Sequence, residues 1–230
     1  GFQNRSVASL AREIFSLADG VLMSAKKDAF ANIGGFLALR DSGLAAAVRE
    51  QMVITEGFPT YGGLAGRDLE AVATGLQEIQ DEHYLAYRVR SVEYFGRGLQ
   101  EVGFKTVRPF GGHAVYLDAA AIAPHLKSRQ FPAQSLAVAL YEEIGLRGVE
   151  VGSLMFGRHE PETGQELPAS QELVRLALPR RVYTQSHIDY IIEAASDLAK
   201  RFDQLPAYRI LEQPRYLRHF TAKLGRQEHS

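Results

Sequence analysis

Short apolar runs alternate with amphipathic helical stripes along the whole chain, and this order restricts the possible folds most strongly. Val21–Ser24 and Phe36–Leu39 are predicted to pair as antiparallel strands, with Gly34 and Gly35 forming the turn between them. His83–Val102 is predicted to be a long helix, because apolar residues recur at helical spacing up to the glycine that follows it. Val21–Ser24 is expected to be a buried strand.

The second half of the chain repeats this alternation. Gly148–Val151 and Leu173–Leu178 are predicted to be paired strands, and the polar stretch His159–Ser170 between them is predicted to be an exposed loop. Ser186–Phe202 is predicted to be a helix capped by Ser186. Such a succession of strands and helices indicates an α/β or α+β fold built in layers, and a change in character near Gly103 predicts a domain boundary.

The composition excludes several classes of function. The chain has 230 residues, 46% of them hydrophobic and 23% charged, with a formal net charge of −1 and no cysteine. Disulfides, thiolate nucleophiles and cysteine-based zinc sites are therefore excluded, and no electrostatic footprint for nucleic acid or anionic membrane is present. No apolar run reaches the roughly 18 residues that span a bilayer, and no signal-peptide pattern is visible, so we expect a cytoplasmic protein.

Two adjacent lysines, Lys26 and Lys27, follow the apolar run that ends at Ser24. A lysine at the end of a buried strand can form a Schiff base with a carbonyl cofactor, because burial and a neighbouring cation disfavour its protonated form. The hydroxyl of Ser24 is placed to donate to a phosphate. The alternative is that the lysine pair lies in a solvated surface turn, since lysine is rarely buried without a partner.

Arg175 lies within an apolar predicted strand. A guanidinium in such surroundings is costly unless it meets an anion, and its planar fork suits a carboxylate. A bidentate contact with a substrate carboxylate is one interpretation, and a structural ion pair is the other.

Several longer motifs occur in one order along the chain, and together they resemble the pyridoxal phosphate (PLP)-dependent β-eliminating lyases, tryptophanase and tyrosine phenol-lyase. The resemblance runs essentially from Gly1 to Lys223. The motifs are Ser24-Ala25-Lys26-Lys27-Asp28, Glu56-Gly57-Phe58-Pro59-Thr60-Tyr61-Gly62-Gly63, Gly111-Gly112-His113-Ala114, Gln130-Phe131-Pro132-Ala133-Gln134, Arg175-Leu176-Ala177-Leu178-Pro179-Arg180 and Leu217-Arg218-His219-Phe220-Thr221-Ala222-Lys223.

The resemblance implies an α/β fold, the PLP-dependent transferase fold of the aspartate aminotransferase type. Residues 1–80 would be the C-terminal part of the large PLP-binding domain, residues 81–103 a connecting helix, and residues 104–230 the small C-terminal domain. Compared with the family, the chain corresponds to the C-terminal half only. The remaining part of the site would come from a second polypeptide or from a missing part of the same chain. The family also implies a dimer-of-dimers tetramer.

The resemblance assigns a role to individual residues. Lys27, the second lysine of its motif, would form the Schiff base and act as general base, and Lys26 would be the neighbouring cation. Ser24 matches a phosphate contact of the family, and Arg175 lies in the motif that binds the substrate α-carboxylate. Asn32 corresponds to a residue whose backbone carbonyl helps to bind a monovalent cation, K⁺.

Two positions bear on the leaving group. The phenol-lyases have an arginine where this chain has Val151, and an aliphatic residue there favours indole over phenol. The tryptophanases have His-Phe where this chain has His219 and Phe220, whereas the phenol-lyases have two phenylalanines; His219 could bond near the indole or relay a proton. Tyr61, in a glycine-rich loop, could reach an active site, or it could be a packing tyrosine.

The implied reaction is the β-elimination of L-tryptophan to indole, pyruvate and ammonia. The corresponding reaction of tyrosine, which gives phenol, is the first alternative, because other stretches of the chain resemble the phenol-lyases more closely. A non-catalytic assembly subunit or an inactive fragment is the second alternative. A nucleic-acid or metal-binding module has little support, since the histidines lack ligand spacing.

Overall fold

The computed structural model describes residues 5–160, 162–163 and 165–227, without the side chains of Asp28 and His159. The chain divides into two compact units, one up to Ala86 and one from Tyr87 onward. The break falls inside the predicted long helix, which is observed as Glu82–Glu101. The predicted domain bounds at residues 80 and 103 stay a prediction.

The first unit combines helices with one two-stranded hairpin. Its described elements are, in order, α1 (Val7–Ser16), β1 (Gly20–Ser24), α2 (Ala25–Asp28), β2 (Gly35–Leu39), α3 (Ser42–Thr55) and α4 (Gly66–Glu78). β1 and β2 pair antiparallel, with Ser24 opposite Gly35, as the sequence predicted. Gly34 has φ +89°, a backbone conformation that glycine adopts readily in a turn of this kind.

The second unit contains a three-stranded antiparallel sheet in the order β3-β7-β4, with helices packed on one face. The described elements are α5 (Glu82–Glu101, shared with the first unit), β3 (Ala114–Asp118), α6 (Ala119–Ile122), a 3₁₀ helix (Ser128–Gln130), α7 (Pro132–Ile144), β4 (Val149–Val151), α8 (Ser153–Phe156), β5 (Arg158–His159), β6 (Glu166–Leu167), β7 (Leu173–Ala177), α9 (Gln185–Ala199), a 3₁₀ helix (Phe202–Gln204), β8 (Tyr208–Glu212), a 3₁₀ helix (Arg218–Phe220) and β9 (Lys223–Arg226).

The hydrophobic core of the second unit lies between this sheet and helices α5, α7 and α9. Apolar side chains from alternate strand positions meet the apolar stripes of the helices, as the periods of two and 3.6 residues require. The central members, all at most 5% exposed, are Val92, Phe95, Leu99, Val115, Leu117, Leu136, Leu140, Val174, Leu176, Ile188, Ala195 and Leu198. The predicted pairing of the strands around residues 149–151 and 173–177 is confirmed.

Two local predictions in this unit are wrong. The segment around residues 159–170 contains a short hairpin, β5–β6, in which Arg158 pairs with Leu167. Its two-residue strands are too short and polar to give a strand pattern. Helix α9 is capped by Thr184 rather than Ser186, because Thr184 keeps an extended backbone while its hydroxyl lies 2.8 Å from Nδ1 of His187. Within the described ranges, none of the helices is both long and apolar enough to cross a membrane.

Candidate active site

The turn that carries the two lysines follows directly from strand β1. The N–H of Ala25, the first residue of α2, donates to the carbonyl of Gly34 at 2.9 Å. Ala25 and Ala29 are fully buried in a small cluster with side chains of α4. Because these small residues anchor one side of the turn, Lys26 and Lys27 lie on its other side, and both side chains are exposed. Packing therefore fixes the turn while its lysines stay accessible.

The predicted burial of β1 is wrong for this chain. Its residues alternate between exposed and half-buried, and Leu22 is 81% exposed. A two-stranded hairpin has only one face packed on the small alanine cluster, so the other face is left to solvent. Any burial of Lys27 must then come from groups that pack on this turn from elsewhere.

Ser24 lies at the N-cap position of α2, but its hydroxyl makes no capping hydrogen bond. The serine hydroxyl and the amine of Lys27 are therefore both exposed and three residues apart on one fixed turn. PLP requires a lysine for covalent attachment and hydrogen-bond donors for its phosphate. The residues of this turn fit that cofactor.

Asn32 and Tyr61 belong to the same unit. Asn32 is exposed in the segment between α2 and β2. Tyr61 is 40% exposed and packs edge-to-face against Phe58, with ring centroids 5.9 Å apart, in a loop where Gly62 and Gly63 both have positive φ. Among the described residues, no three His, Asp or Glu side chains lie close enough together to hold a metal ion. The monovalent cation and the role of Tyr61 stay predictions.

The sheet of the second unit places Arg175 and Val151 on one face. In β7, Val174 and Leu176 are buried in the core, so Arg175 between them lies on the opposite face and is half-buried. Val149 is directly opposite Arg175, and Val151 is two residues further along β4 on the same face. The arginine therefore avoids the burial cost inferred from its apolar neighbours in the sequence. The two predicted substrate contacts lie on the same sheet face.

His219 and Phe220 lie in the 3₁₀ helix between β8 and β9. Their rings contact each other with centroids 4.1 Å apart, and Phe220 is 74% exposed. The preceding residue, Arg218, is buried, and its Nε donates to the carbonyl of Leu154 at 2.9 Å. Leu154 belongs to α8, which follows β4, so this bond brings the His219 turn next to the segment that begins at Val151.

Comparison with known proteins decides the family. The sequence model described as beta-eliminating lyase matches residues 4–194. The chain belongs to the β-eliminating lyase family. Curated relatives of this chain include the tryptophanases of Salinibacter ruber (60% identical over 97% of this chain and 47% of that protein) and Rhodobacter capsulatus (54%, over 97% and 49%). The tyrosine phenol-lyase of Symbiobacterium thermophilum is 48% identical over 97% of this chain and 48% of that protein. The chain thus spans about half the length of these relatives.

Solved structures support the fold at lower identity. A serine palmitoyltransferase of Sphingomonas wittichii aligns with a TM-score of 0.52 and 14% identity, covering 84% of this chain and 43% of that one. A structure described as SPT with PLP aligns with a TM-score of 0.51 and 17% identity, over 84% and 42%. The predicted α/β fold of the PLP-dependent transferases, of the aspartate aminotransferase type, is confirmed.

Sequence reasoning missed a buried polar cluster in the second unit. Glu150 and Glu172 are 6% and 3% exposed, and both carboxylates lie beside Gly152. Glu172 accepts hydrogen bonds from the N–H and the hydroxyl of Ser153, and its Oε2 is buried without a hydrogen-bond partner among the described residues. A signal was present, since Glu150 alternates with apolar residues in a predicted strand whose inner face should be buried.

Burial raises the pKa of the Glu172 carboxyl, although hydrogen bonds from Ser153 and the backbone N–H of Ala133 lower it in part. Burial is also the main cause of the raised pKa of Glu150, with a smaller contribution from the nearby Glu172. Above the ordinary carboxyl pKa, the unfolded chain has lost these protons while the folded chain retains them. Stability therefore falls as pH rises through the window between the ordinary and the raised pKa.

We expect Glu172→Gln to flatten this pH dependence, because an amide does not titrate. The measurement is the midpoint of urea denaturation, followed by circular dichroism at pH values from about 4 to 8. Glu101→Gln, at an exposed position of the same unit, is the control and should keep the wild-type profile. A profile of Glu172→Gln that parallels the wild type would contradict the assignment.

Proposed function

We propose that this chain is the C-terminal half of a PLP-dependent enzyme that converts L-tryptophan and water to indole, pyruvate and ammonia. Membership of the β-eliminating lyase family supports the reaction class. The observation that carries the proposal is the turn after β1, where packed alanines hold the exposed Lys27 and Ser24 in place. The similarity to tryptophanases at 54–60% identity supports tryptophan as the substrate.

Each residue of this chain has a defined task in the proposal. When bound, PLP withdraws electrons from the Cα atom of the amino acid. Lys27 holds the cofactor, and its Nζ takes the proton from Cα. Lys26 is the neighbouring cation, and Ser24 donates to the phosphate. Arg175 binds the α-carboxylate through two parallel N–H bonds and so orients the Cα–H bond.

The leaving group is selected by Val151, His219 and Phe220. During the reaction the bond between Cβ and the indole ring breaks, and the ring carbon gains a proton. Val151 leaves an apolar slot for the indole, and Phe220 adds an aromatic face. His219 lies within contact of that face, where an imidazole can hold or relay a proton.

The rest of the site is supplied by an N-terminal half, as a second polypeptide or another part of the same chain. Large apolar side chains of the first unit support this, since Leu17, Leu22 and Ile54 are 85%, 81% and 82% exposed. Helices α1 and α3 contain no buried residue in this chain. Such a surface is typical of an interface.

The proposal has three further parts. The enzyme is a cytoplasmic tetramer, the backbone carbonyl of Asn32 helps to bind K⁺, and Tyr61 lies near the substrate.

Product analysis tests the substrate. The complete enzyme, containing this chain and its N-terminal half, should release indole from tryptophan much faster than phenol from tyrosine. Phenol as the main product would establish the phenol-lyase alternative. That alternative is supported by the 48% identity to a tyrosine phenol-lyase. Release of neither product would support the non-catalytic alternative.

We expect Val151→Arg to lower kcat/KM for tryptophan by at least about tenfold, because a guanidinium in the apolar slot loses its hydration against the indole. Val151→Ile is the matched control and should stay within a few-fold of the wild type, since it keeps the slot apolar. Indole release should be followed for both variants under identical cofactor loading. Equal rates for the arginine and isoleucine variants would show that Val151 does not face the leaving group.

A further inference from the structure

Arg218 is a buried arginine whose donors are all directed into the protein. Its Nε donates to the carbonyl of Leu154 at 2.9 Å, and its Nη2 donates to the carbonyl of Ser153 and to the carboxylate of Glu166, both at 2.5 Å. Its Nη1 lies 3.4 Å from the side-chain oxygen of Gln213. With its acceptors already supplied by the protein, Arg218 is not placed to bind a substrate carboxylate. Its contacts instead fix the backbone of neighbouring segments.

The segment that Arg218 contacts is held from its other side by two carboxylates. Glu150 accepts from the backbone N–H groups of Leu154 and Met155, both at 3.0 Å, and Glu172 accepts from the N–H of Ser153 at 3.2 Å. Carboxylates thus hold the N–H groups of α8 while Arg218 holds two of its carbonyls. The short helix after Val151 therefore has little freedom to move on its own.

The backbone packing around this segment is equally close. A Cβ atom at Gly157, the residue after α8, would lie 2.6 Å from Nη2 of Arg218. A Cβ at Gly152, the residue before α8, would lie 2.8 Å from the carboxylate of Glu150. Glycine at both ends lets the charged groups approach the main chain directly.

The tip of the His219 turn, in contrast, has exposed side chains, although Ala222 beyond it packs on the apolar cluster that includes Leu154. Leu217 has φ +54°, a left-handed conformation that leucine rarely adopts, and its side chain is 66% exposed. Phe220 is 74% exposed, so burial of its ring does not fix the turn. The N–H groups of Thr221 and Ala222 both donate to the carbonyl of Arg218. Arg218 therefore supplies the polar contacts that link the tip of this turn to α8.

We propose that Arg218 is a positioning residue for leaving-group selection: it fixes the His219–Phe220 pair relative to the strand end that carries Val151. The two elements then act as one rigid unit. This inference rests on the proposed function in that His219, Phe220 and Val151 face the leaving group. Arginine is required because its planar fork reaches two successive carbonyls and a carboxylate together, which the single ammonium of a lysine cannot do.

The test compares two amino acids in the complete, PLP-loaded enzyme. L-Tryptophan needs the leaving-group contacts, whereas β-chloroalanine loses chloride, which has no ring and needs no proton. Arg218→Lys should lower kcat/KM for tryptophan at least about tenfold, the usual effect of losing a charge-assisted hydrogen bond, and leave β-chloroalanine within about twofold. Glu166→Gln, which keeps an acceptor for Nη2, should show the same selectivity to a smaller degree.

Arg226→Lys is the matched control. Arg226 pairs with Glu142 at 2.5 Å on an exposed surface of the same unit, and both amino acids should react at wild-type rates. An equal loss of both reactions in Arg218→Lys would mean that Arg218 only supports the fold, and would overturn the proposal. Unchanged tryptophan turnover in Arg218→Lys would also overturn it.

Hydrogen exchange separates this inference from the proposed function. Arg218→Lys should accelerate exchange at least about tenfold for amides 153–157 and 219–222, with the core amides of β7 unchanged. If the wild type reacts with neither amino acid, the proposed function fails, and this exchange pattern still supports the anchoring role. Unchanged exchange in both segments would overturn the anchoring role whatever the activity.

Discussion

Lys27→Ala is expected to abolish covalent attachment of PLP and to reduce β-elimination by at least about 10⁴-fold, because one amine supplies both the attachment and the general base. Lys27 is exposed on a turn whose alanines are fully buried, so the substitution removes an exposed side chain and leaves the anchoring contacts intact. Loss of activity with an unchanged circular dichroism spectrum would therefore report on chemistry rather than on folding.

The attachment is measured directly by mass spectrometry. The purified enzyme is incubated with PLP, reduced with borohydride and analysed under denaturing conditions, and peptide mapping should place one reduced cofactor on Lys27. Lys26→Ala is the matched control, since it removes the neighbouring cation and should retain the adduct. An adduct that maps to Lys26, or one that persists in Lys27→Ala, would contradict the assignment. A second polypeptide in the same sample would identify the source of the N-terminal half.

The position of the lysine turn could be predicted from sequence, whereas its surroundings could not. The apolar runs before Ser24 and after Gly35 have the length and spacing of a hairpin, and β1 and β2 form it. The same apolar residues also predicted that β1 would be a buried strand. Burial depends on what covers both faces, and in this chain the cluster around Ala25 and Ala29 covers only one.

Arg175 shows the same distinction between local pattern and environment. Its strand and pairing were predicted correctly. The environment of Arg175 was misjudged. Successive residues of a strand point to opposite faces of the sheet, so the apolar residues before and after Arg175 do not surround its side chain. The sequence alone does not show that Val174 and Leu176 are buried while Arg175 between them is only half-buried. That difference arises because the helices of this unit pack on one face of the sheet.

For the cluster of Glu150, Glu172 and Arg218, the sequence offered a signal only at Glu150, which alternates with apolar residues in a predicted strand. Glu172 and Arg218 are 19 and 65 residues from Ser153, which both contact. Glu150, in contrast, accepts from nearby N–H groups of α8. Charged residues are usually exposed, so isolated Glu and Arg letters predict surface positions. The burial of Glu172 and Arg218 becomes favourable only where segments distant in sequence meet, and no local spacing encodes that meeting.

Gly75→Ala is expected to destabilise the first unit by about 2–3 kcal/mol, the opposite of the usual effect of alanine in a helix. Gly75 is a buried position inside α4, and a Cβ atom there would collide with the carbonyl oxygen of Ala29. Because the colliding atom is backbone, it cannot rotate away, and either α4 or the lysine turn must shift. The gain in helix propensity, about 1 kcal/mol, is smaller than the cost of this shift.

Gly66→Ala in the same helix is the matched control, because nothing lies within 4 Å of its Cβ position. Urea denaturation should show Gly66→Ala at or slightly above wild-type stability and Gly75→Ala well below it. Since Ala29 follows directly from the short helix that carries Lys27, Gly75→Ala should also lower the yield of the reduced cofactor adduct on that lysine. Equal stability of the two variants would show that α4 does not pack on the lysine turn. The turn would then need another support to hold Lys27 in place.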